Sequence, residues 1–195
     1  MARAPVDFTN QFLIAMPSLR DGTFAGTVIY LCEHTEKGAL GLVINKPIDI
    51  KLKNLFEKVD LSLDRPELAE APVYFGGPVQ TERGFVLHES LDGDDGEGGH
   101  YNSSLRIPGG LEMTTSKDVL EALSSGAGPK KVLVTLGYSG WAAGQLEEEM
   151  GRNGWINVSA ERGIIFDTPV EQRYDKALSL LGIDVNMLSG EAGHA

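Results

Sequence analysis

The pentapeptide Gly137-Tyr138-Ser139-Gly140-Trp141 places a serine where a hydrophobic run meets an acidic helical segment, the setting of a nucleophile elbow. A serine acts as nucleophile when a strained G-x-S-x-G turn exposes its Oγ and a histidine, steadied by an acid, removes its proton. Here Gly140 directly follows Ser139, and Trp141 occupies the last glycine position of that pattern. The only histidine after Ser139 is His194, in a polar terminal stretch. Elbow chemistry is therefore excluded. Two readings of the turn stay open. Free N–H groups around Trp141 to Ala143, at the start of a helix expected over 141–150, with help from Ser139, suit a small anion. Alternatively Ser139 caps that helix, Gly140 and Gly144 permit close packing, and Trp141 and Leu146 anchor it to a sheet. No P-loop and no G-x-G-x-x-G is present, so no cofactor is expected.

Cys32 and His34 lie two apart on an expected strand and hence on one face. A protonated histidine lowers the pKa of a neighbouring thiol, so the pair is a redox or enzymatic candidate; the alternative is a buried cysteine acting as a small hydrophobe. As metal ligands they would need His88 and His100, and no metal site is expected. The turn at Gly76-Gly77-Pro78 either lets a backbone approach a ligand, with Arg83 supplying charge, or only joins two strands. Asp92 to His100 begins like a calcium loop. Its fifth place is Gly96, its glycine place is Glu97 and its twelfth is Ser103, which excludes an EF-hand. The run Glu147-Glu148-Glu149 diverges around a helix and complements its dipole.

The elements that would hold these residues read as follows. Strands are expected at Phe12–Met16, Gly26–His34 and Ala39–Lys46, with Pro47 ending the third and the last two forming a hairpin. A short amphipathic helix follows, with Leu52, Leu55, Phe56 and Val59 at helical spacing. Segments 72–79 and 84–90 read as strands around the Gly-Gly-Pro turn, and segments 103–107 and 111–115 as a pair across Pro108 to Gly110. A helix capped by Thr115 or Ser116 ends at Gly126. Segment 130–138 is the central strand. "WINVSA" and "GIIFD" read as short strands. The last helix has Thr168 as N-cap, Pro169 at its first position, Glu171 completing a capping box and Gly182 closing it. Strands often follow one another without a helix between them, which indicates an α+β fold with a mixed sheet over a doubly wound parallel one. A single domain over residues 1–188 is expected, with a long acidic loop at 91–102 and a flexible tail at 189–195.

Net charge is −11, from 28 acidic and 17 basic residues. Such a chain repels phosphate backbones, so no nucleic acid partner is expected. Lys46, Lys51, Lys53 and Lys58 are interleaved with Asp49, Glu57 and Asp60, the pattern of a solvated surface. No stretch has the roughly 18 apolar residues of a membrane span, and the first residues lack an apolar signal core. With one cysteine there is no intrachain disulfide. The expected location is the cytoplasm, with no membrane association.

The segments "CEHTEKGALGLVINKP", "YFGGPVQTERGFVLHES", "SSLRIPGGLEMTTSKDVLEAL", "LVTLGYSGWAAGQLEEEM" and "FDTPVEQRYDKALSLLGID" occur in an order that resembles the bacterial AlgH/YqgE family, from about Asn10 to Asp184. The resemblance implies an α+β fold with a branched, partly barrel-like sheet flanked by helices. The acidic loop is longer than the family pattern, and Tyr101 stands where a tryptophan is expected. Some members are labelled transcriptional regulators in alginate production, and the family brings no established catalytic residues to carry over. The reading is a non-enzymatic regulatory or ligand-binding protein whose partner is a protein or a small anionic ligand. Its expected ligand site gathers Gly76, Gly77, Arg83, Ser139, Gly140 and Trp141. The alternatives are an enzyme or redox sensor using Cys32 and His34, and a direct DNA-binding regulator, which the charge and the missing helix-turn-helix disfavour.

Overall fold

Strand β9 (Val132–Ala142) is the axis of the molecule, because three other strands hydrogen-bond to it. In the computed structural model the structure describes residues 6–90, 101–184 and 186. Along one edge of β9 runs the antiparallel β6 (Val79–Glu89). The other edge is shared: β5 (Pro72–Phe75) pairs in parallel at Thr135 and Leu136, and β3 (Gly38–Val43) pairs antiparallel from Ser139 to Ala142. The sheet therefore forks at β9. Beyond β3 lie β2 (Val28–Thr35), β1 (Gln11–Ala15) and β10 (Trp155–Ser159); beyond β6 lie β8 (Leu111–Thr114) and β7 (Ser104–Ile107). A short β4 (Pro47–Lys51) pairs with β5.

The sheet curls into an antiparallel half-barrel. Its concave side holds Phe12, Tyr30, Leu42, Phe85 and Leu87, closed by Ile164 and Ile165 of α5 (Arg162–Phe166) and Ala177 and Leu178 of α6 (Arg173–Ser179). On the outer side of β1–β3, Leu13, Ile29, Leu31 and Val43 pack with Trp141, Trp155 and Leu146 of α4 (Gln145–Gly151). A third cluster covers the β5, β6 and β9 surface with α1 (Leu52–Lys58), α2 (Pro66–Ala69) and α3 (Asp118–Ser124). Burying these faces supplies the main driving force for the fold. The expected α+β class with a mixed, branched, partly barrel-like sheet holds. Among the described residues no helix is long and apolar enough to cross a membrane.

Several local expectations are corrected. Pro47 does not end pairing; it opens β4, opposite Tyr74, at a sheet edge where its missing N–H costs nothing. The segment 163–167 is no strand: its first four residues belong to helix α5 and Asp167 is the C-cap. Alternation would send Ile164 and Ile165 to opposite faces of a strand, whereas one helical turn delivers both to the same core. Thr168 does not cap the last helix, since its hydroxyl donates to the Gly163 carbonyl. A 3-10 turn at Val170–Gln172 precedes α6 instead, and no capping box forms there. Nor does Thr115 or Ser116 cap α3, whose N-cap is Lys117. The acidic segment Asp92 to His100 and the tail at 189–195, with His194, lie outside the described residues.

Candidate functional site

The two glycine-bearing segments meet, but they meet as backbone against backbone. Gly76 sits in the fork between β3, β5 and β9: its N–H donates to the Leu136 carbonyl, and its own carbonyl accepts from the Val43 N–H. The buried Ser139 hydroxyl donates to that same carbonyl at 3.0 Å. A Cβ on Gly76 would stand 2.2 Å from the Gly137 oxygen, and one on Gly77 would stand 2.1 Å from the Tyr138 carbonyl carbon. These glycines are required by the close approach of two chains. No room for a ligand exists between them.

The expected helix start at Trp141 is corrected as well. β9 continues through Gly137, Ser139 and Trp141 to Ala142, and α4 begins only at Gln145, after Gly144 in the left-handed region. The ladder to β3 pairs Trp141 with Ala39, and the Ala142 N–H donates to Gln145 Oε1. The Ala142 donor expected to face an anion is thus engaged, and Ser139 is a strand residue. Arg83 also turns elsewhere: it lies over the Phe85 ring, and its guanidinium reaches Gln80 Oε1 and Thr115 Oγ1.

Two members of the expected site share open space, while the exposed Arg83 borders a separate surface hollow with Gln80, Thr81 and Glu82. Gly140 and Trp141 line a cleft of about 380 Å³ at the end of the β3–β9 ladder, together with Tyr138, Val79, Leu40 and the β2–β3 turn. Gly140 is exposed, and a Cβ there would press on the Tyr138 ring at 3.2 Å. Lys37 and Glu33 bring charge to the walls, and Lys37 forms no ion pair among the described residues. The sequence reading missed Lys37 and Tyr138. The signal was present in "TEKG", a polar hairpin turn carrying a lone cation, but only the ladder register brings it beside Gly140.

Cys32 and His34 are separated by a bulge. The β2–β3 register slips between Leu31 and Glu33, so Cys32 faces the concave core while His34 lies on the α4 side. Same-face placement is thereby corrected: an extra residue in one strand inverts the alternation. Cys32 is 1% exposed, and burial pushes its thiol far above the ordinary range. Both ring nitrogens of His34 are engaged. The Phe8 N–H donates to Nδ1 at 3.0 Å, so the proton sits on Nε2, which donates to Glu147 Oε1 at 2.5 Å. The Phe8 ring stacks on the imidazole, with centroids 5.3 Å apart. This histidine ties the N-terminal segment and α4 to β2.

The fully buried His88 is similarly bound. Its Nδ1–H donates to the Glu89 carbonyl and its Nε2 accepts from Thr114 Oγ1, both at 2.8 Å. Desolvation holds its pKa below the usual histidine value. His100, its expected companion in any metal set, lies outside the described residues.

A family model described as AlgH-like matches residues 12–186. A UPF0301 protein of Ralstonia nicotianae is 65% identical over 192 residues, covering 98% of this chain and 97% of the relative. A UPF0301 protein of Burkholderia ambifaria is 64% identical over 190 residues, covering 97% and 96% of the two chains. The solution structure of the AlgH protein from Pseudomonas aeruginosa is similar with a TM-score of 0.77 and 45% identity, over 100% of both chains. A Corynebacterium diphtheriae crystal structure, at 20% identity and a TM-score of 0.73 over 97% and 94% of the chains, shares the fold. With nearly its whole length matched at the level of sequence, family pattern and topology, the chain belongs to the AlgH-like family.

Proposed function

We propose that this is a cytoplasmic, non-enzymatic regulatory protein that binds a small anionic ligand in the cleft beside Lys37. The observation that carries the reading is the cleft itself. Its volume of about 380 Å³ lies in the range of small-molecule sites, with Leu40, Val79 and Tyr138 as body contacts and one ammonium for an anionic group. Glu33 at the wall accepts hydrogen bonds from ligand hydroxyl or amino groups. Gly140 contributes floor without a side chain. The engaged nitrogens of His34 and His88 and the buried thiol of Cys32 favour binding over nucleophilic or redox chemistry. With a net charge of −11, an effect on transcription would run through a bound ligand or a partner protein.

A thermal-shift screen of nucleotides and small carboxylates tests this. A ligand at one hundred times its Kd raises stability by about 2.7 kcal/mol. Trp141 lines the cleft and stacks edge-on against Trp155, so binding also changes intrinsic fluorescence. The response is expected to be lost in Lys37→Ala and in Gly140→Val. A panel that leaves wild type unchanged, or an undiminished response in both variants, sinks the reading.

A further inference from the structure

Helices α1 and α3 cover the same sheet face yet leave part of its floor uncovered between them, in a second cleft of about 220 Å³. It shares no lining residue with the Lys37 cleft. Leu55 and Val59 form one wall, Leu120 the other, and Val86 and Val134 the floor. Gly84 completes the floor. A Cβ there would meet nothing within 4 Å, and its φ lies outside the left-handed region. Unlike Gly76, this glycine is demanded neither by backbone packing nor by conformation, and its missing side chain leaves the volume open.

The mouth is basic. Lys117 lines it, is exposed, and forms no ion pair among the described residues. Arg83 reaches the same corner, with Nη2 3.2 Å from Thr115 Oγ1. The neighbouring carboxylate of Asp118 is turned to its own loop, accepting from the Ser116 hydroxyl and the backbone N–H groups of Val119 and Asn102. Among the described residues Lys117 is therefore the one cation lining a cleft with an apolar floor, and Arg83 touches only its rim, at Thr115, from the Phe85 face of β6.

We propose that the cleft between α1 and α3 binds a small carboxylate with an apolar body, either a short acyl chain or a single ring. The carboxylate pairs with Lys117 and the body lies on Val86 and Val134. The volume equals about seven liquid-water volumes, which suits a fragment-sized ligand.

An NMR titration of amide resonances with octanoate decides it. Saturable shifts are expected at Gly84, Thr115, Lys117 and Leu120, and octanol, which has the chain without the charge, should bind about two- to five-fold more weakly. Gly84→Leu fills the floor and should abolish the shifts. Val59→Trp intrudes from the opposite wall and should do the same, which keeps the test open if Gly84→Leu does not fold. Lys37→Ala should leave the titration unchanged. Absence of saturable shifts at these amides, octanol binding as tightly as octanoate, or unchanged binding in a folded cleft-filling variant would overturn the proposal.

Discussion

The hydroxyl of Ser139 donates to the carbonyl of Gly76, 63 residues away, at the point where β3, β5 and β9 converge. A serine in a catalytic-looking pentapeptide thus serves the sheet. The hydrogen bond helps hold the fork, and the glycines around it let the backbones approach.

Ser139→Ala should lower unfolding stability by about 1 kcal/mol, because the Gly76 carbonyl keeps its bond from Val43. Gly76→Ala should cost roughly 3 kcal/mol or more, since its Cβ would collide with backbone that has nowhere to move. Urea denaturation measures both. Equal stability of the two variants would contradict the tight fork.

Cys32 should resist thiol reagents in the native protein at pH 8 and react only as the chain unfolds, because it is buried and its thiol is held protonated. Reaction with a chromogenic disulfide, followed with and without urea, reads this directly. Rapid native labelling would revive a redox role.

The link between His34 and Glu147 predicts an acid-sensitive tether. The pKa of Glu147 is lowered from 4.5, first by a backbone hydrogen bond and then by the bond from His34. A depressed carboxylate pKa stabilises the fold above the unfolded value and loses that contribution as pH falls through the folded one. The stability of Glu147→Gln should therefore fall less steeply than that of wild type below pH 4.5. His34→Ala should speed hydrogen exchange at Phe8, whose N–H loses its acceptor.

His88 acts in a separate window. Its folded pKa lies below 6.5, so the unfolded chain binds the proton more readily. Stability should be full above pH 6.5 and decline as pH falls through the folded value. In His88→Gln that decline should flatten, although the variant is less stable at neutral pH through loss of buried hydrogen bonds. Melting temperatures over a pH series for both proteins check the sign.

Much of the architecture was legible along the chain. The β2–β3 hairpin, the helix carrying Leu52 and Phe56, the pairing across Pro108 to Gly110 and the central strand follow from local apolar spacing and turn residues. The misses share one cause. Ile164 and Ile165 look like strand residues until the core they enter is known, and Thr168 looks like a cap until Gly163 offers its carbonyl. For the candidate site, Gly140 and Trp141 were legible as unusual residues, whereas their companion Lys37 was not.

Residue types and spacing were sufficient to remove the nucleophile elbow, the P-loop and the EF-hand, and to bring out the family pattern, because each depends on local geometry. The face that Cys32 and His34 present, the strand identity of Ser139 and the joining of Lys37 to Gly140 were settled only in the tertiary structure. A single bulge inverts side-chain alternation, and a ladder register joins residues about a hundred positions apart. Neither leaves a mark in any window of neighbouring residues.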